Sequence, residues 1–105
     1  MRKTHALVEV ALALMSDPTG RHWGYDVSKR AGVRSGVLYP ILHRMLDDGW
    51  LVDGWEEQRH GHRPPRRYYQ LTPEGQQALG ALLREAASDV RFRALTERIA
   101  GSWAI

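Results

Sequence analysis

Two apolar helical patterns separated by only three residues constrain this chain most. Gly24-Tyr25-Asp26 opens a short helical stretch that runs to Ala31, with Gly32 as its stop. After Gly32-Val33-Arg34, Ser35 is placed to cap a second helix. In it Val37, Leu38, Ile41, Leu42, Met45 and Leu46 recur at helical spacing up to Gly49. Two helices joined by a three-residue, glycine-containing turn form a helix-turn-helix. Pro40 falls in the first turns of the second helix, where the lost hydrogen bond costs less than it would deeper in, and some bending is expected.

On the N-terminal side, Thr4 is a suitable cap for a helix over 4–16. Leu7, Val10, Ala11 and Leu14 fall on one face of it, and Val8, Leu12 and Met15 on another. A helix apolar on that many sides is buried from more than one direction, either centrally in its own core or against a second subunit. Asp17-Pro18-Thr19-Gly20 then breaks the chain.

Beyond Gly49, Trp50–Glu56 and Arg66–Leu71 read as two short strands around the polar loop 58–65, together a β-hairpin over 50–71. No acidic residue occurs between Glu57 and Glu74, so Arg59, His60, His62, Arg63, Arg66 and Arg67 create a local field stronger than the net charge of +3 suggests. Thr72-Pro73-Glu74 starts a last helix. Leu79, Leu82, Leu83, Ala86, Val90, Leu95 and Ile99 carry it over 73–100, about 40 Å if unbroken. A break near Ser88-Asp89 with the chain folding back is the competing reading, because the apolar spacing loosens there.

The sequence thus predicts one mainly helical domain over 1–105 with a small β-hairpin, an α+β winged helix-turn-helix with N- and C-terminal helices available for dimerisation. The absence of cysteine excludes disulfides and thiolate chemistry, and no nucleotide-binding glycine loop or triad-like signature points to an enzyme or a cofactor. Arg2 and Lys3 before an apolar run imitate a secretory signal, but Glu9 interrupts that run, so it reads as a helix and the cytoplasm is the default location. No stretch is long enough to span a membrane. His60 and His62 could join a metal-sensing site, yet an H-x-H pair on a basic hairpin more often faces nucleic acid, and no metal is assigned.

Three segments, GYDVSKRAGV, SGVLYPILHRMLDDGWLV and RPPRRYYQLTPEGQQAL, cover most of Gly24 to Leu79 and resemble the PadR family. The Leu38-Tyr39-Pro40 tripeptide with Leu42-His43-Arg44 and Asp48-Gly49, and Tyr68-Tyr69-Gln70-Leu71-Thr72 before Gly75, carry the resemblance. Pro64-Pro65 and Trp50 depart from the family's usual pattern. The resemblance implies a homodimeric DNA-binding repressor of the small subgroup, paired through its terminal helices. Where drug-sensing members place a ligand-stacking Trp, this chain has Leu83-Arg84-Glu85-Ala86-Ala87. Leu7, Val8, Leu12, Leu83, Ala86, Val90, Leu95 and Ile99 are the residues expected at the dimer interface.

On this reading the second helix of the pair enters the major groove of double-stranded DNA. That points to Arg34, Ser35, Gly36, Tyr39 and His43 as contacts, with Arg44 free or paired to Asp47 or Asp48. Arg59, His60, Arg63 and Arg66 of the hairpin would meet phosphates or the minor groove, while alternation puts Arg67 on the face opposite Arg66. Lys29 and Arg30 are further phosphate candidates, or cations completing a helix end. A twofold dimer reads a palindromic operator, and an apolar effector held between the terminal helices would alter the separation of its reading heads. The rival from another class is a winged helix that grips an acidic protein.

Overall fold

The structure, a computed structural model, describes residues 1–57, 61 and 63–97. Helix α1 (His5–Met15) begins where Thr4 accepts the Leu7 N–H on its hydroxyl at 3.1 Å. Leu7, Val8 and Val10 to Leu14 are all buried, because α1 packs against every other helix. It is the centre of the core.

Helix α2 (Gly24–Ala31) ends at Gly32, whose φ of 66° is the left-handed conformation that glycine adopts without strain. The turn to α3 (Ser35–Asp47) is fastened by Ser28, which accepts the Val33 N–H on its carbonyl at 3.1 Å and donates its hydroxyl to the Val33 carbonyl at 2.6 Å. Arg34, not Ser35, is the N-cap of α3. Ser35 is its first helical residue, and the cap has no side-chain hydrogen bond. Leu38, Leu42 and Met45 form the buried stripe of α3, so the face carrying Ser35, Gly36, Tyr39 and His43 points outward.

Three strands, not two, make the sheet. The predicted hairpin appears as β2 (Leu51–Trp55) and β3 (Arg67–Leu71), with Leu51 opposite Leu71 and Trp55 opposite Arg67. A further strand, β1 (His22–Trp23), pairs antiparallel with β3, giving the order β1-β3-β2. Two residues are too few to show a period in the sequence, so this strand is dictated by the edge that β3 offers.

Helix α4 (Pro73–Ala87) starts with Thr72 accepting the Gly75 N–H at 2.9 Å. The Thr72 hydroxyl donates to the Gly49 carbonyl at 2.7 Å and its N–H to the Trp50 carbonyl at 3.0 Å. That Trp50 carbonyl lies directly against Gly75: a Cβ there would overlap its oxygen and sit 2.7 Å from its carbon. The first turn of α4 is therefore seated on the start of β2 with no space for a methyl group.

The expected continuous helix over 73–100 does not form. α4 stops at Ala87, and after a turn over 88–92 a short helix α5 (Arg93–Glu97) packs back against α1 and α4. The Ser88 hydroxyl donates to the Glu85 carbonyl at 3.0 Å, and Asp89 takes the Arg91 N–H at 2.9 Å. Both bonds draw the backbone out of the helical path. The gain is burial: Phe92 falls to 3% exposure, with the His5 ring 5.8 Å away, and Thr96 is buried too.

The fold-back changes the standing of the residues expected at a dimer interface. Leu7, Val8, Leu12, Leu83 and Ala86 are enclosed within one chain, Leu95 is half-buried, and Val90 alone of the described set is on the surface, 82% exposed. Ile99 lies outside the described residues.

Arg91 holds the Asp89 carboxyl down to about 2, through side-chain and backbone hydrogen bonds, and Asp89 in turn raises the Arg91 guanidinium. Because the folded value is depressed, this turn is supported at every pH above the ordinary carboxylate range and loses that support as pH falls toward 2. A carbon-detected NMR titration is expected to place the Asp89 midpoint near 2, and Arg91→Ala to return it toward the ordinary value.

Candidate nucleic-acid interface

The outward stripe of α3 and the sheet it faces make one continuous surface. Arg34, Ser35, Gly36, Tyr39 and His43 are all exposed, and nothing lies within 4 Å of where a Gly36 Cβ would be, so backbone can approach a ligand closely there. Arg44 forms an i,i+4 ion pair with Asp48 at 3.4 Å and turns away from that stripe, leaving His43 on it.

Tyr39 is fixed by its neighbour. Its hydroxyl rests on Gly24, the first residue of α2, where a Cβ would overlap that oxygen and lie 3.2 Å from Cζ. The ring is 39% exposed, so Tyr39 both packs against α2 and presents an edge to solvent.

In the hairpin the arginines divide. Arg67 donates from Nε to Asp53 at 2.7 Å and lies over the Tyr69 ring at 5.2 Å, a cross-strand contact that stiffens the sheet. Arg63 lies half-buried with Nη1 3.2 Å from Glu56 Oε1, at an angle that makes an ion contact without a hydrogen bond. Glu56 also accepts the Arg66 N–H at 2.9 Å, while its own N–H donates to the Arg66 carbonyl at 2.8 Å. The Arg66 guanidinium is left exposed, with no ion pair among the described residues. Arg59 and His60 lie outside the described residues, as does His62.

On the other sheet face Arg21 stacks over Tyr68 at 4.3 Å, and Trp23 meets that ring edge-on at 5.8 Å. Tyr68 in turn covers Gly54, where a Cβ would fall 2.5 Å from its hydroxyl oxygen. Lys29 approaches the exposed Tyr25 ring at 5.4 Å, and Arg30 donates to the Ser16 hydroxyl at 3.0 Å, which takes Arg30 toward α1.

Between α3 and the sheet runs an open groove of about 290 Å³, lined by Trp23, Gly24, Tyr25, Tyr39, Arg66, Arg67 and Tyr69. Burial pushes the Tyr69 phenol above its ordinary value, with the Arg67 charge opposing. Sequence reasoning missed Tyr25, Tyr69 and Glu56 because each owes its place to strand register or helix packing. The Tyr69 position follows only once β1 and β2 are known to flank β3. Among the described residues no helix is long and apolar enough to cross a membrane, and no group of three His, Asp or Glu could hold a metal ion.

Residues 12–81 match the Transcriptional regulator PadR-like family. Over 71 residues the chain is 44% identical to Transcriptional regulator Rv3488 of Mycobacterium tuberculosis, a match spanning 68% of this chain and 57% of that relative. Among solved structures, smu.1704 from Streptococcus mutans is similar with a TM-score of 0.62 at 27% identity, over 81% of this chain and 82% of that one. Bacillus subtilis PadR, solved in complex with operator DNA, is similar with a TM-score of 0.58 over 72% of this chain and 46% of that one; at 21% identity the likeness is one of fold. Matched through its helix-turn-helix and its wing alike, the chain belongs to the PadR-like family of transcriptional regulators and has a winged helix-turn-helix fold.

Proposed function

We propose that the chain is a homodimeric repressor that reads an inverted-repeat operator in the major groove through α3. The observation that carries this reading is the exposed stripe Arg34, Ser35, Gly36, Tyr39 and His43, held rigidly by a buried stripe on the same helix and continuous with Arg66 of the wing. The arginines and histidine of the wing loop, Arg59, His60 and Arg63, add phosphate contacts in this scheme, Arg63 less than Arg66 because Glu56 already holds it.

Binding to the chain's own upstream DNA and to a scrambled duplex, at several salt concentrations, tests the proposal. The operator is expected to bind more tightly than the scrambled duplex, with Tyr39→Ala weakening it roughly tenfold and Arg66→Ala lowering the salt slope by about one. Equal, salt-insensitive behaviour toward both duplexes would instead favour a protein-binding adaptor.

Pairing of two chains through Leu7, Val8, Leu12, Leu83, Ala86 and Leu95 requires α5 to leave its place, whereas pairing around Val90 does not. We therefore centre the proposed dimer on Val90, beside exposed Ala87. Val90→Asp is expected to weaken self-association by at least about tenfold in sedimentation equilibrium while leaving thermal stability unchanged. The crevice lined by His5, Ala6, Glu9, Val33, Arg34 and Val37 is where a small effector would sit beside the reading helix, and a shift in operator affinity on ligand addition is its measure.

A further inference from the structure

The groove between the first turn of α2 and the wing contains features that packing alone leaves without use. Tyr69 is 2% exposed and lines the groove, yet its hydroxyl makes no hydrogen bond to any described residue. The one fully enclosed side-chain polar atom without a hydrogen-bond partner among the described residues is Arg63 Nη1, so the Tyr69 hydroxyl opens onto the groove rather than being sealed beneath it. A phenol held in this way is an aimed donor.

Three other donors converge on the same space. The Tyr39 hydroxyl is clamped over Gly24, at the start of α2. Trp23 caps α2 with no side-chain hydrogen bond, so the N–H groups of that first turn are unfilled and carry the positive end of the helix dipole. Arg66 lines the groove with its guanidinium free of ion pairs among the described residues, while Arg67 is taken by Asp53. The one acid in the first turn of α2, Asp26, lines a separate crevice with Asp17, Arg21 and Arg30. The groove thus gathers donors and positive charge and has no carboxylate among its lining residues.

We infer that this groove is a phosphate site, in which the Tyr69 and Tyr39 hydroxyls, the first-turn N–H groups of α2 and Arg66 together hold one phosphodiester of bound DNA. The inference rests on the DNA-reading function proposed above and assigns it a backbone anchor beside α3. The aromatic walls suit the sugar next to the phosphate. A contact of this kind fixes the height of the reading helix over the groove and carries no sequence information. Free phosphate esters share the chemistry, and the test separates the two sources.

Tyr69→Phe removes one oxygen and keeps the buried ring, so the fold is retained, which a thermal melt checks. Its affinity for operator and for scrambled duplex is expected to fall by the same factor, between about 2- and 10-fold, with the ratio between the two duplexes unchanged. In parallel, inorganic phosphate titrated into nitrogen-15-labelled protein is expected to shift the Gly24, Tyr25 and Asp26 amides saturably, and Tyr69→Phe to weaken that response. Unchanged duplex binding by a folded Tyr69→Phe overturns the inference, even where free phosphate still binds, since the site then serves a small ester and not the DNA backbone. Loss confined to the operator overturns it too, because Tyr69 would then act through base reading. If the wild type binds neither duplex, the repressor proposal fails by itself, and the amide titration decides the site alone: saturation supports an anion site, and no response removes it.

Discussion

Gly75→Ala is expected to destabilise the protein by roughly 2–3 kcal/mol in urea denaturation, against the usual direction for this exchange. In a helix alanine is normally preferred to glycine by about 1 kcal/mol. At Gly75 the added carbon would overlap the Trp50 carbonyl oxygen, and that oxygen is itself held by the Thr72 N–H at 3.0 Å. Relief requires the first turn of α4 to lift from β2, which breaks that bond and loosens the core beneath; overpacking of this sort costs about 1–3 kcal/mol. Gly80 is the internal control. It lies in the same helix, and a Cβ there meets only the flexible end of Arg84 at 3.4 Å. Gly80→Ala is expected to gain part of the helix-propensity difference, so the two variants move the melting temperature in opposite directions. A neutral Gly75→Ala would show that α4 is not seated as described.

Phe92→Ala is expected to cost at least as much, about 3 kcal/mol, the lower end for truncating an enclosed aromatic ring. The loss is local in origin. Phe92 accepts the Leu95 N–H at 3.0 Å and the Thr96 N–H at 3.2 Å on its carbonyl, so the residue that anchors α5 also begins it. Five residues cannot sustain a helix without that anchor. Amide exchange should therefore show 93–97 losing protection entirely, while α1 to α4 lose only what the fall in global stability dictates. Uniform loss across the chain would mean that α5 and the core unfold as one unit.

The sequence was most legible where a local rule and a tertiary demand coincide. Thr4 and Thr72 cap the helices they were expected to cap, Gly32 adopts the left-handed turn its position demanded, and the buried stripe of α3 follows its periodicity. The reading stripe was legible as the complement of that buried one. What could not be read depends on contacts between segments distant in sequence. β1 exists because β3 has an open edge, and the choice between a continuous last helix and the break near Ser88-Asp89, both open from the sequence, is made by the burial of Phe92 beside His5 of α1. The apolar excess of α1, open to a core or a partner when only its own residues are considered, is absorbed by helices from the far end of the chain. Arg63 and Arg66 look alike in the sequence, and only the register that brings Glu56 opposite Arg66 separates the tethered one from the free one.

The central position of α1 also bears on how the chain is made. This helix is synthesised before much of what covers it, since its cover comes partly from α4 and α5, formed by residues 73–87 and 93–97. At about 5–20 residues per second, a growing chain leaves Leu7, Val8, Leu12 and Leu14 without that cover for several seconds before those residues have been joined to it. The core cannot close in instalments. Folding of the core waits until α5 has been made, and over that interval the apolar faces of α1 lack part of their native cover.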